Sequence, residues 1–417
     1  MKILWLCNLL PSAVRENAGE KPGSGLWMDS VLAGLREREN MTLKVVCQGS
    51  EDGEGQVDEC LSYVRFRGGR PHRPRPDLVP RFASVLKEYQ PDVIHIWGTE
   101  YPHTLAMLQA CDSLDLLDYT AVSIQGLCHI LAGHYTEGLP PAVCRGFTLR
   151  DLLRWDNIAL QKKKFALRGE NEKKALVLSR HVIGRTEFDL ACTKAVNPKV
   201  HYHFCGETLR QPFYEGRWRY DTCRKHRIFA SGRGYPIKGF HYLLEAAAQV
   251  AKRFPDVTVA VPGASYLTGS RKERLLRDGY ARYLKKRTIE LGLEDRIEFL
   301  GSLSPEEMKE AYLSCNVFVL PSTIENSPNS LGEAMLLGAP CVAADVGGVT
   351  TLLEHPWEGY VYPSTAPYLL AHYIEKVFSM GAEAEELGRR ARIHARKTHD
   401  PEKNMDQLLE IYRALAP

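Results

Sequence analysis

Short apolar runs alternate along the chain with stretches in which apolar residues recur at helical spacing. The first half reads KILWLC, a helical WMDSVLAGLRER, LKVVCQ, a helical RFASVLKEY, DVIHIW and AVSIQG. The runs DVIHIW and AVSIQG show no polar alternation, which is typical of parallel strands that helices cover on both faces. The pattern predicts a doubly wound α/β sheet.

The same rhythm restarts after a polar, loop-like stretch near residues 207–226. It reads HRIFASG, a helical FHYLLEAAAQVAKRF, VTVAVPG, IEFLG, NVFVLPS, a helical LGEAMLLG and PCVAAD. A chain of 417 residues is long enough for two domains. We therefore predict Rossmann-like domains over residues 1–206 and 207–397. The last helix, 398–417, is predicted to pack back on the first domain through Met405, Leu408, Leu409 and Tyr412.

Net charge and cysteine content narrow the class of partner and the compartment. The chain carries 54 basic and 51 acidic side chains, a formal net charge of +3, which favours a small-molecule partner over nucleic acid. Its 11 cysteines show no CxxC pair and no zinc spacing, so we predict reduced, mostly buried thiols in a cytoplasmic protein. The N-terminal MKILWLCNLLP is interpreted as a buried strand, and no run reaches membrane-spanning length.

Two basic stretches stand apart from this pattern. Residues 61–81, which begin LSYVRFRGGRPHRPRP, are rich in Arg and Pro and are predicted to form a surface loop. Residues 154–174 read RWDNIALQKKKFALRGENEKK on a predicted helix. Their clustered lysines allow peripheral contact with anionic lipid at the cytoplasmic face of the membrane, and a solvated helix face is the alternative.

The segment NVFVLPSTIENSPNSLGEAMLLGAPCVAAD runs from a strand through a loop that carries Glu325 into a helix that carries Glu333. In open parallel sheets, ligands bind beyond the carboxyl ends of the strands, where the next helix offers unpaired amides to an anion. We therefore predict a diphosphate at the start of this helix, with Glu333 on a ribose and Glu325 facing a sugar. The donor-binding residues predicted in the first turn are Asn329, Ser330, Leu331 and Gly332.

The same helix start also allows a purely structural interpretation. Ser330-Leu331-Gly332-Glu333 spells a capping box, in which the serine and the glutamate satisfy the first amides of their own helix. Taken alone, this tetrapeptide favours the cap over a ribose site. The second glutamate and the preceding strand are what favour a ligand.

A second segment, FASGRGYPIKGFHYLLEAAAQV, carries Arg233 and Lys238 in a glycine-rich loop between a strand and a helix. Both cations can bind one diphosphate and balance the negative charge that builds on it as it leaves. The alternative for Lys238 is a solvated lysine, but a lysine at a helix start opposes the helix dipole. We therefore predict that Lys238 binds the diphosphate, with Arg233 as a second donor-binding residue and a plain loop residue as its alternative.

Together these motifs resemble glycosyltransferase family 4, the large group of retaining GT-B enzymes. Glu325 and Glu333 match the Glu-x7-Glu signature of that family, and GAPCVAADVGG, PDVIHIW and HVIGRTEFD match further segments. The resemblance implies the GT-B architecture, two Rossmann-like doubly wound parallel-sheet domains facing a central cleft. It also implies that Glu325 lies near the donor sugar and that Glu333 holds the ribose.

The resemblance also assigns residues of the first domain. It maps the glycine-rich loop of the family to Gly23 and Gly25, for which a plain turn is the alternative. It places a histidine that touches the donor sugar at the position of Gln125, and this glutamine can hydrogen-bond a sugar but cannot carry a proton charge. A polar group at a strand end is the alternative for Gln125. His95, inside an apolar run, is predicted to be a hydrogen-bonded core histidine.

The predicted function is transfer of a sugar from a nucleoside-diphosphate sugar, such as a UDP-sugar, to a glycan or lipid-linked acceptor. Residues 207–397 are predicted to bind the nucleotide sugar, and residues 1–206 the acceptor. By resemblance the enzyme retains anomeric configuration and serves bacterial cell-surface polysaccharide synthesis, with Glu325, Lys238 and Gln125 as catalytic residues. The sequence has no Asp-x-Asp motif for a divalent ion, so neither a metal nor a cofactor is predicted. A GT-B sugar-nucleotide epimerase and a catalytically silent nucleotide-sugar-binding protein are the alternatives.

Overall fold

The computed structural model describes residues 1–20, 27–38 and 40–417, with the backbone alone at Trp27. The chain divides into two compact units. The first comprises Met1–Ala132, Lys164–Arg210 and His399–Pro417, and the second comprises Gly133–Lys163 and Gln211–Thr398. The segment Gly133–Lys163 thus groups with the second unit, although it lies within the range predicted for the first domain.

Each unit is built on one sheet. The strands of the first unit are β1 (Lys2–Cys7), β2 (Thr42–Gly49), β3 (Gly53–Gln56), β4 (Leu61–Arg67), β5 (Val93–Trp97), β6 (Thr120–Ser123), β7 (His181–Gly184) and β8 (His201–Phe204). Those of the second are β9 (Arg227–Phe229), β10 (Thr258–Val261), β11 (Ile297–Phe299), β12 (Val317–Leu320), β13 (Cys341–Ala344) and β14 (Tyr360–Tyr362).

Helices connect the strands and cover the sheets. In chain order they are α1 (Ser12–Asn17), α2 (Trp27–Arg36), α3 (Leu78–Tyr89), α4 (Pro102–Asp112), α5 (Cys128–His134), α6 (Pro141–Arg145), α7 (Leu149–Arg154), α8 (Ile158–Leu178), α9 (Glu187–Val196), α10 (Phe240–Val250), α11 (Arg271–Leu275), α12 (Gly279–Glu290), α13 (Pro305–Ser314), α14 (Asn329–Leu337), α15 (Val349–Leu352), α16 (Pro367–Met380), α17 (Ala384–Thr398) and α18 (Pro401–Leu415). Short 3-10 helices lie at Leu117–Tyr119, Gln211–Tyr214, Pro236–Lys238, Glu294–Arg296 and Gly381–Glu383.

Both sheets have the order expected of doubly wound folds. The first runs β3-β4-β2-β1-β5-β6-β7-β8, and its pairs are parallel apart from β3 with β4. The second runs β11-β10-β9-β12-β13-β14 and is parallel throughout. Numbered from its own first strand, the second sheet has the Rossmann order 3-2-1-4-5-6. The predicted class, two Rossmann-like α/β domains, is confirmed.

One local prediction is wrong. Residues 61–67, expected to begin a surface loop, form β4 beside β2. Leu61, Tyr63 and Phe66 are buried, and their burial outweighs the arginines that lie between and after them. The irregular stretch is confined to the residues between β4 and α3, where Arg and Pro are concentrated.

The C-terminal helix α18 completes the core of the first unit. Met405, Leu408, Leu409 and Tyr412, the face predicted from spacing, are all buried. The Tyr412 hydroxyl accepts a hydrogen bond of 3.0 Å from Trp5 Nε1 and lies 2.6 Å from His95 Nδ1. The Nε2 atom of His95 lies 2.6 Å from Ser123 Oγ, and burial lowers the pKa of His95 to about 3. The prediction that His95 is a hydrogen-bonded core histidine is confirmed.

The cysteines behave as predicted. All 11 are free thiols, most of them are buried, and burial raises the pKa of several, including Cys47 to about 12. Buried thiols with a raised pKa are unreactive, since the thiolate is the nucleophile. Among the described residues, no helix has the length and apolarity needed to cross a bilayer.

The junction of β9 and β12 depends on one glycine. Gly239 has a φ of 63°, and a Cβ there would overlap the carbonyl oxygen of Pro321. The Thr323 amide donates to the Ile237 carbonyl at 2.8 Å, which holds the loop after β12 against the loop after β9. Only a residue without a Cβ fits both the left-handed conformation and the close approach.

We expect Gly239→Ala to destabilise the protein by about 2 kcal/mol or more, because it combines left-handed strain with a backbone clash. Equilibrium urea unfolding measures the change. Gly234→Ala, in the same loop, is the matched control, since Gly234 has no positive φ and a Cβ there would meet open space. Equal stability of the two variants would contradict this account of the junction.

Candidate functional site

The second sheet reverses its order between β9 and β12, and two predicted segments follow these strands. The β9 strand leads through the glycine-rich loop and the 3-10 turn into α10, and β12 leads through residues 321–328 into α14. Both loops emerge from the carboxyl ends of adjacent parallel strands. Ligands of open α/β sheets bind at this kind of reversal point.

Lys238 and Glu325 meet there. Lys238 Nζ donates to Glu325 Oε1 at 2.7 Å, and the Ser322 hydroxyl donates to the same oxygen at 2.7 Å. Ser322 is fully buried, while the Lys238 side chain is 38% exposed and that of Glu325 is 13% exposed. The pair therefore has a fixed carboxylate and a cation that a ligand can reach. Two of the predicted catalytic residues are brought together, from positions far apart in the sequence.

Glu333 lies on α14 and is buried, with 4% of its surface exposed. The Tyr312 hydroxyl lies 3.2 Å from Glu333 Oε2 and 3.0 Å from the Ser330 carbonyl oxygen, so it can donate to either. The Tyr312 ring packs edge-on against Phe229 and Phe318 on β9 and β12. Tyr312 thus positions Glu333 relative to the strands that carry the site.

The capping-box interpretation of this helix start does not hold. Helix α14 begins at Asn329 with Pro328 as its N-cap, and no side chain caps it. Ser330 and Glu333 lie inside the helix, so Glu333 does not reach back to an N-cap amide. The carboxylate is buried for some reason other than capping.

The amides at the start of α14 differ in how they are used. Leu331 and Gly332, two of the predicted donors, both donate to the Pro328 carbonyl oxygen, at 2.9 and 3.3 Å. The first amides of an α-helix have no partner within the helix, and Ser330 holds one of those positions here. Of the predicted donors other than Asn329, Ser330 is therefore better placed to bind an anion than Leu331 and Gly332.

A cavity of about 570 Å³ opens at the carboxyl ends of β9, β10 and β11. Its lining is Gly232, Arg233, Gly234, Pro262, Gly263, Ala264, Gly301, Ser302, Leu303 and Met308. A volume of this size suits a small-molecule ligand, and the glycines allow the ligand to approach the backbone. The Gly263 amide donates to the Gly301 carbonyl oxygen at 2.6 Å, which ties two of the loops together.

Arg233 is fixed in the wall of this cavity. Its guanidinium donates to the Ala264 carbonyl oxygen and lies over the rings of Tyr266 and Phe299, at 5.1 and 5.4 Å. Burial lowers its pKa from the usual value, but an arginine remains charged at neutral pH. The structure thus places Arg233 on the cavity and Lys238 beside Glu325, with both cations on the same loop.

The segment Gly133–Lys163 contributes to the second unit near Glu325. The Thr323 hydroxyl lies 3.4 Å from the His134 carbonyl oxygen, and the Ser364 hydroxyl donates to Glu137 Oε1 at 3.1 Å. His134 Nδ1 lies 2.8 Å from Glu137 Oε2. This imidazole–carboxylate pair is 42% and 24% exposed. His134 is far from Glu325 in the sequence, yet folding places its backbone against the loop that holds Glu325.

In the first unit, Gln125 lines a small cavity of about 40 Å³ at the carboxyl ends of β5, β6 and β7. Its Oε1 accepts a 3.3 Å hydrogen bond from Arg185, which also donates to the Ile124 carbonyl oxygen at 3.0 Å. Arg185 is buried and paired with Glu207. Gln125 is therefore oriented by a buried arginine. The predicted Gly23 and Gly25 lie outside the described residues.

Beside Gln125, the first unit holds two acidic groups that the sequence did not single out. Glu172 is buried and accepts hydrogen bonds from Thr99 Oγ1 at 2.7 Å and from the His129 amide at 3.0 Å, and His129 Nδ1 lies 2.6 Å from it. Glu100 Oε2 is buried and has no hydrogen-bond partner among the described residues. Burial, and secondarily the charge of Glu172, raises the pKa of Glu100 to about 7.

A sequence signal for some of the missed residues exists. The strand runs HRIFASG, VTVAVPG and IEFLG each end in glycine, and these glycines follow β9, β10 and β11 at one edge of the sheet. Repeated strand-end glycines would have predicted the cavity. Nothing comparable marks Tyr312, Ser322 or Glu100, whose roles depend on contacts between distant segments.

We expect the stability of Glu100→Gln, relative to the wild type, to rise with pH. The pKa of Glu100 is higher in the folded protein than in the unfolded chain, where it is 4.5. The stability that Glu100 contributes to the wild type is therefore fully present below pH 4.5 and is lost as the pH rises through about 7. A pKa of about 7 in the folded protein against 4.5 in the unfolded chain corresponds to roughly 3 kcal/mol of stability. Urea unfolding between about pH 5 and about pH 8 measures it.

Glu88→Gln is the control for this series, because Glu88 is exposed on α3 in the same unit. Its stability difference from the wild type should stay flat over the same range. A flat difference for Glu100→Gln as well would show that Glu100 is not buried in its uncharged form.

Residues 223–394, which lie within the second unit, match the family model described as Glycosyl transferases group 1. D-inositol 3-phosphate glycosyltransferase of Corynebacterium urealyticum is 29% identical over 184 residues, which cover 44% of this chain and 42% of the relative. The chain thus spans less than half the length of that curated relative. The matched region contains Arg233, Lys238, Glu325 and Glu333.

Solved structures resemble the whole chain. Sucrose-phosphate synthase from Thermosynechococcus elongatus has a TM-score of 0.70 at 17% identity, with 100% of this chain and 99% of that chain covered. HepE of Anabaena, solved in complex with UDP-glucose, has a TM-score of 0.65 at 19% identity, with 99% and 100% covered. The chain therefore has the GT-B fold, and the family match of its second unit supports a glycosyltransferase.

Proposed function

We propose that this protein is a retaining glycosyltransferase of family 4, which transfers a sugar from a nucleoside-diphosphate sugar to a glycan or lipid-linked acceptor without a metal ion. The observation that carries the proposal is the Lys238–Glu325 pair at the reversal point of a Rossmann sheet. A buried glutamate on the adjoining helix and a glycine-lined cavity support it. HepE was solved in complex with UDP-glucose, which makes UDP the first nucleotide to test.

Each group has a chemical role in this proposal. The nucleoside occupies the glycine-lined cavity, with Glu333 accepting hydrogen bonds from the ribose hydroxyls. Lys238, Arg233 and the Ser330 amide at the start of α14 bind the diphosphate. As the bond from the anomeric carbon to the diphosphate breaks, these donors stabilise the charge that builds on the leaving oxygen.

The acceptor hydroxyl forms the new bond to the anomeric carbon on the face that the diphosphate leaves, and its proton passes to a diphosphate oxygen. This route retains configuration and needs no separate base. In this proposal Glu325 hydrogen-bonds the transferred sugar, and Lys238 and Ser322 hold its Oε1 in place. In the first unit, we propose Gln125 as the polar group that hydrogen-bonds the donor sugar.

We further propose a cytoplasmic location and a role in bacterial cell-surface polysaccharide synthesis. The free, mostly buried thiols are typical of a reducing compartment. A lipid-linked acceptor at the cytoplasmic membrane face is consistent with that location.

Calorimetric titration with UDP, GDP, ADP and NAD in the presence of a chelator tests the proposal. We expect one nucleoside diphosphate to bind with the chelator present. Binding of NAD alone, or binding that appears only after a divalent ion is added, would overturn the metal-independent donor site.

We expect Lys238→Ala to weaken donor binding about ten- to hundredfold, because a hydrogen bond to a charged group contributes about 1.5–3 kcal/mol. Glu333→Ala should weaken it as well, and Glu333→Gln less, since the amide keeps one acceptor oxygen. Titration with the nucleoside diphosphate that binds the wild type gives each dissociation constant, and thermal unfolding shows whether each variant is folded.

The matched control is Lys286→Ala. Lys286 also pairs with a glutamate, Glu290, at 3.6 Å, but the lysine side chain is 74% exposed on α12. Its loss should leave donor affinity unchanged. Unchanged affinity in both Lys238→Ala and Glu333→Ala would remove this site from the proposal.

A further inference from the structure

Large apolar side chains are exposed in an unusual concentration between residues 147 and 155. The five exposed there are Phe147, Leu149, Leu152, Leu153 and Trp155, and we call them the apolar ridge. Leu153 is 71% exposed and Trp155 is 65% exposed. Elsewhere in the described residues, exposed large apolar side chains are scattered singly or in pairs. Single exposed apolar residues are ordinary, whereas a contiguous set marks a contact surface.

Helix α7 within the ridge has the reverse of the usual burial pattern, with apolar side chains exposed and an acidic side chain buried. Its aspartate, Asp151, is fully buried, while Leu149, Leu152 and Leu153 face solvent. Burying a leucine side chain stabilises a fold, so a helix that exposes three leucines forgoes that stabilisation. Folding of this unit alone does not account for that arrangement.

Specific polar contacts hold the ridge in this orientation. The Asp151 carboxylate accepts from the Thr148 amide at 3.1 Å, and the Asp151 amide donates to Thr148 Oγ1 at 3.1 Å, which forms a capping box. Asn157 is buried, and its Nδ2 donates to the Arg145 carbonyl oxygen at 3.1 Å. The ridge is therefore anchored at both ends, and its exposure is not the result of a loose loop.

The surroundings of the ridge are basic. From residue 145 to residue 163 the cations are Arg145, Arg150, Arg154, Lys162 and Lys163, and the acids are Asp151 and Asp156. Asp151 is buried, and Arg150 lies 3.2 Å from it. Arg145, Arg154 and Lys163 are exposed. The accessible charge beside the apolar side chains is thus positive.

We propose that the apolar ridge is a peripheral docking surface for an anionic lipid bilayer. Leucines, an aromatic pair and flanking arginines are the composition of segments that lie in the membrane interface. The rings of Phe147 and Trp155 lie 5.6 Å apart, so they form one amphipathic group that suits the headgroup region. Each cation near an anionic surface adds to the attraction. The inference does not rest on the proposed sugar transfer.

The chain offers a well-matched test. In Leu152→Glu/Leu153→Glu, two adjacent exposed leucines of the ridge become acidic. In the control Leu275→Glu/Leu276→Glu, two adjacent exposed leucines at the end of α11 receive the same charge. All four side chains are exposed, so the substitutions do not open the core, and thermal unfolding with circular dichroism verifies the fold of both variants.

Cosedimentation of the full chain is measured with vesicles of equal parts phosphatidylglycerol and phosphatidylcholine, and with pure phosphatidylcholine vesicles. We expect the wild type and the control to bind the anionic vesicles and to bind pure phosphatidylcholine more weakly. The ridge variant should lose at least about tenfold in partition coefficient, since it forfeits two apolar contacts and adds repulsion. Added salt should weaken binding of the wild type.

A second measurement locates the contact. The Trp155→Phe variant should bind vesicles but lose a large part of the blue shift in tryptophan fluorescence that the wild type shows on binding. Equal partition of the wild type and the ridge variant would overturn the proposal. So would the absence of binding to anionic vesicles, or a concentration-dependent dimer that the ridge variant alone fails to form, because the ridge would then be a protein interface.

Discussion

The close approach of two backbone segments at Gly239 is the constraint on which the proposed donor site depends. Because Gly239 lies directly against the Pro321 carbonyl group, the loop after β9 packs in backbone contact with the loop after β12. The backbone bond from Thr323 to Ile237 fixes their register. Lys238 precedes that glycine and Glu325 follows that bond, so the 2.7 Å contact of their side chains is a consequence of backbone packing. A side chain at residue 239 would separate the two groups.

The features that could be predicted from the sequence are those that depend on the local pattern of apolar and polar residues. The strand runs and amphipathic helices predicted the sheets, and strand-to-helix turns predicted where Lys238, Glu325 and Glu333 would lie. Strand β4 was missed because arginines and glycines near it masked Leu61, Tyr63 and Phe66, which are buried on both faces of the strand. Grouping of Gly133–Lys163 with the second unit depends on contacts such as that of Thr323 with His134, which no local pattern contains. Distant contacts also place Tyr312 beside Glu333.

Buried polar groups in the first unit separate into two kinds. His95 has partners on both ring nitrogens, and Glu172 accepts several hydrogen bonds, so each is explained by the folded structure itself. Glu100 differs, because one of its carboxylate oxygens is buried without a partner and its pKa is raised to about 7. Such a group costs stability, and the contacts within the fold do not offset that cost. The side chains of Glu100 and Gln125 both lie near Gly98.

The segment Gly133–Lys163 joins the two proposals physically. Its first residues contact the loop after β12, through the His134 carbonyl near Thr323. They also contact the residues after β14, through Glu137 with Ser364. Its later part carries the apolar ridge, anchored by the buried Asp151. Both features therefore belong to one compact unit that also contains Lys238 and Glu325. If the ridge rests on a bilayer, the unit proposed to bind the donor is held at the membrane surface. A lipid-linked acceptor is confined to that same surface, so docking raises the effective concentration of acceptor at the enzyme without any added contact to the acceptor itself.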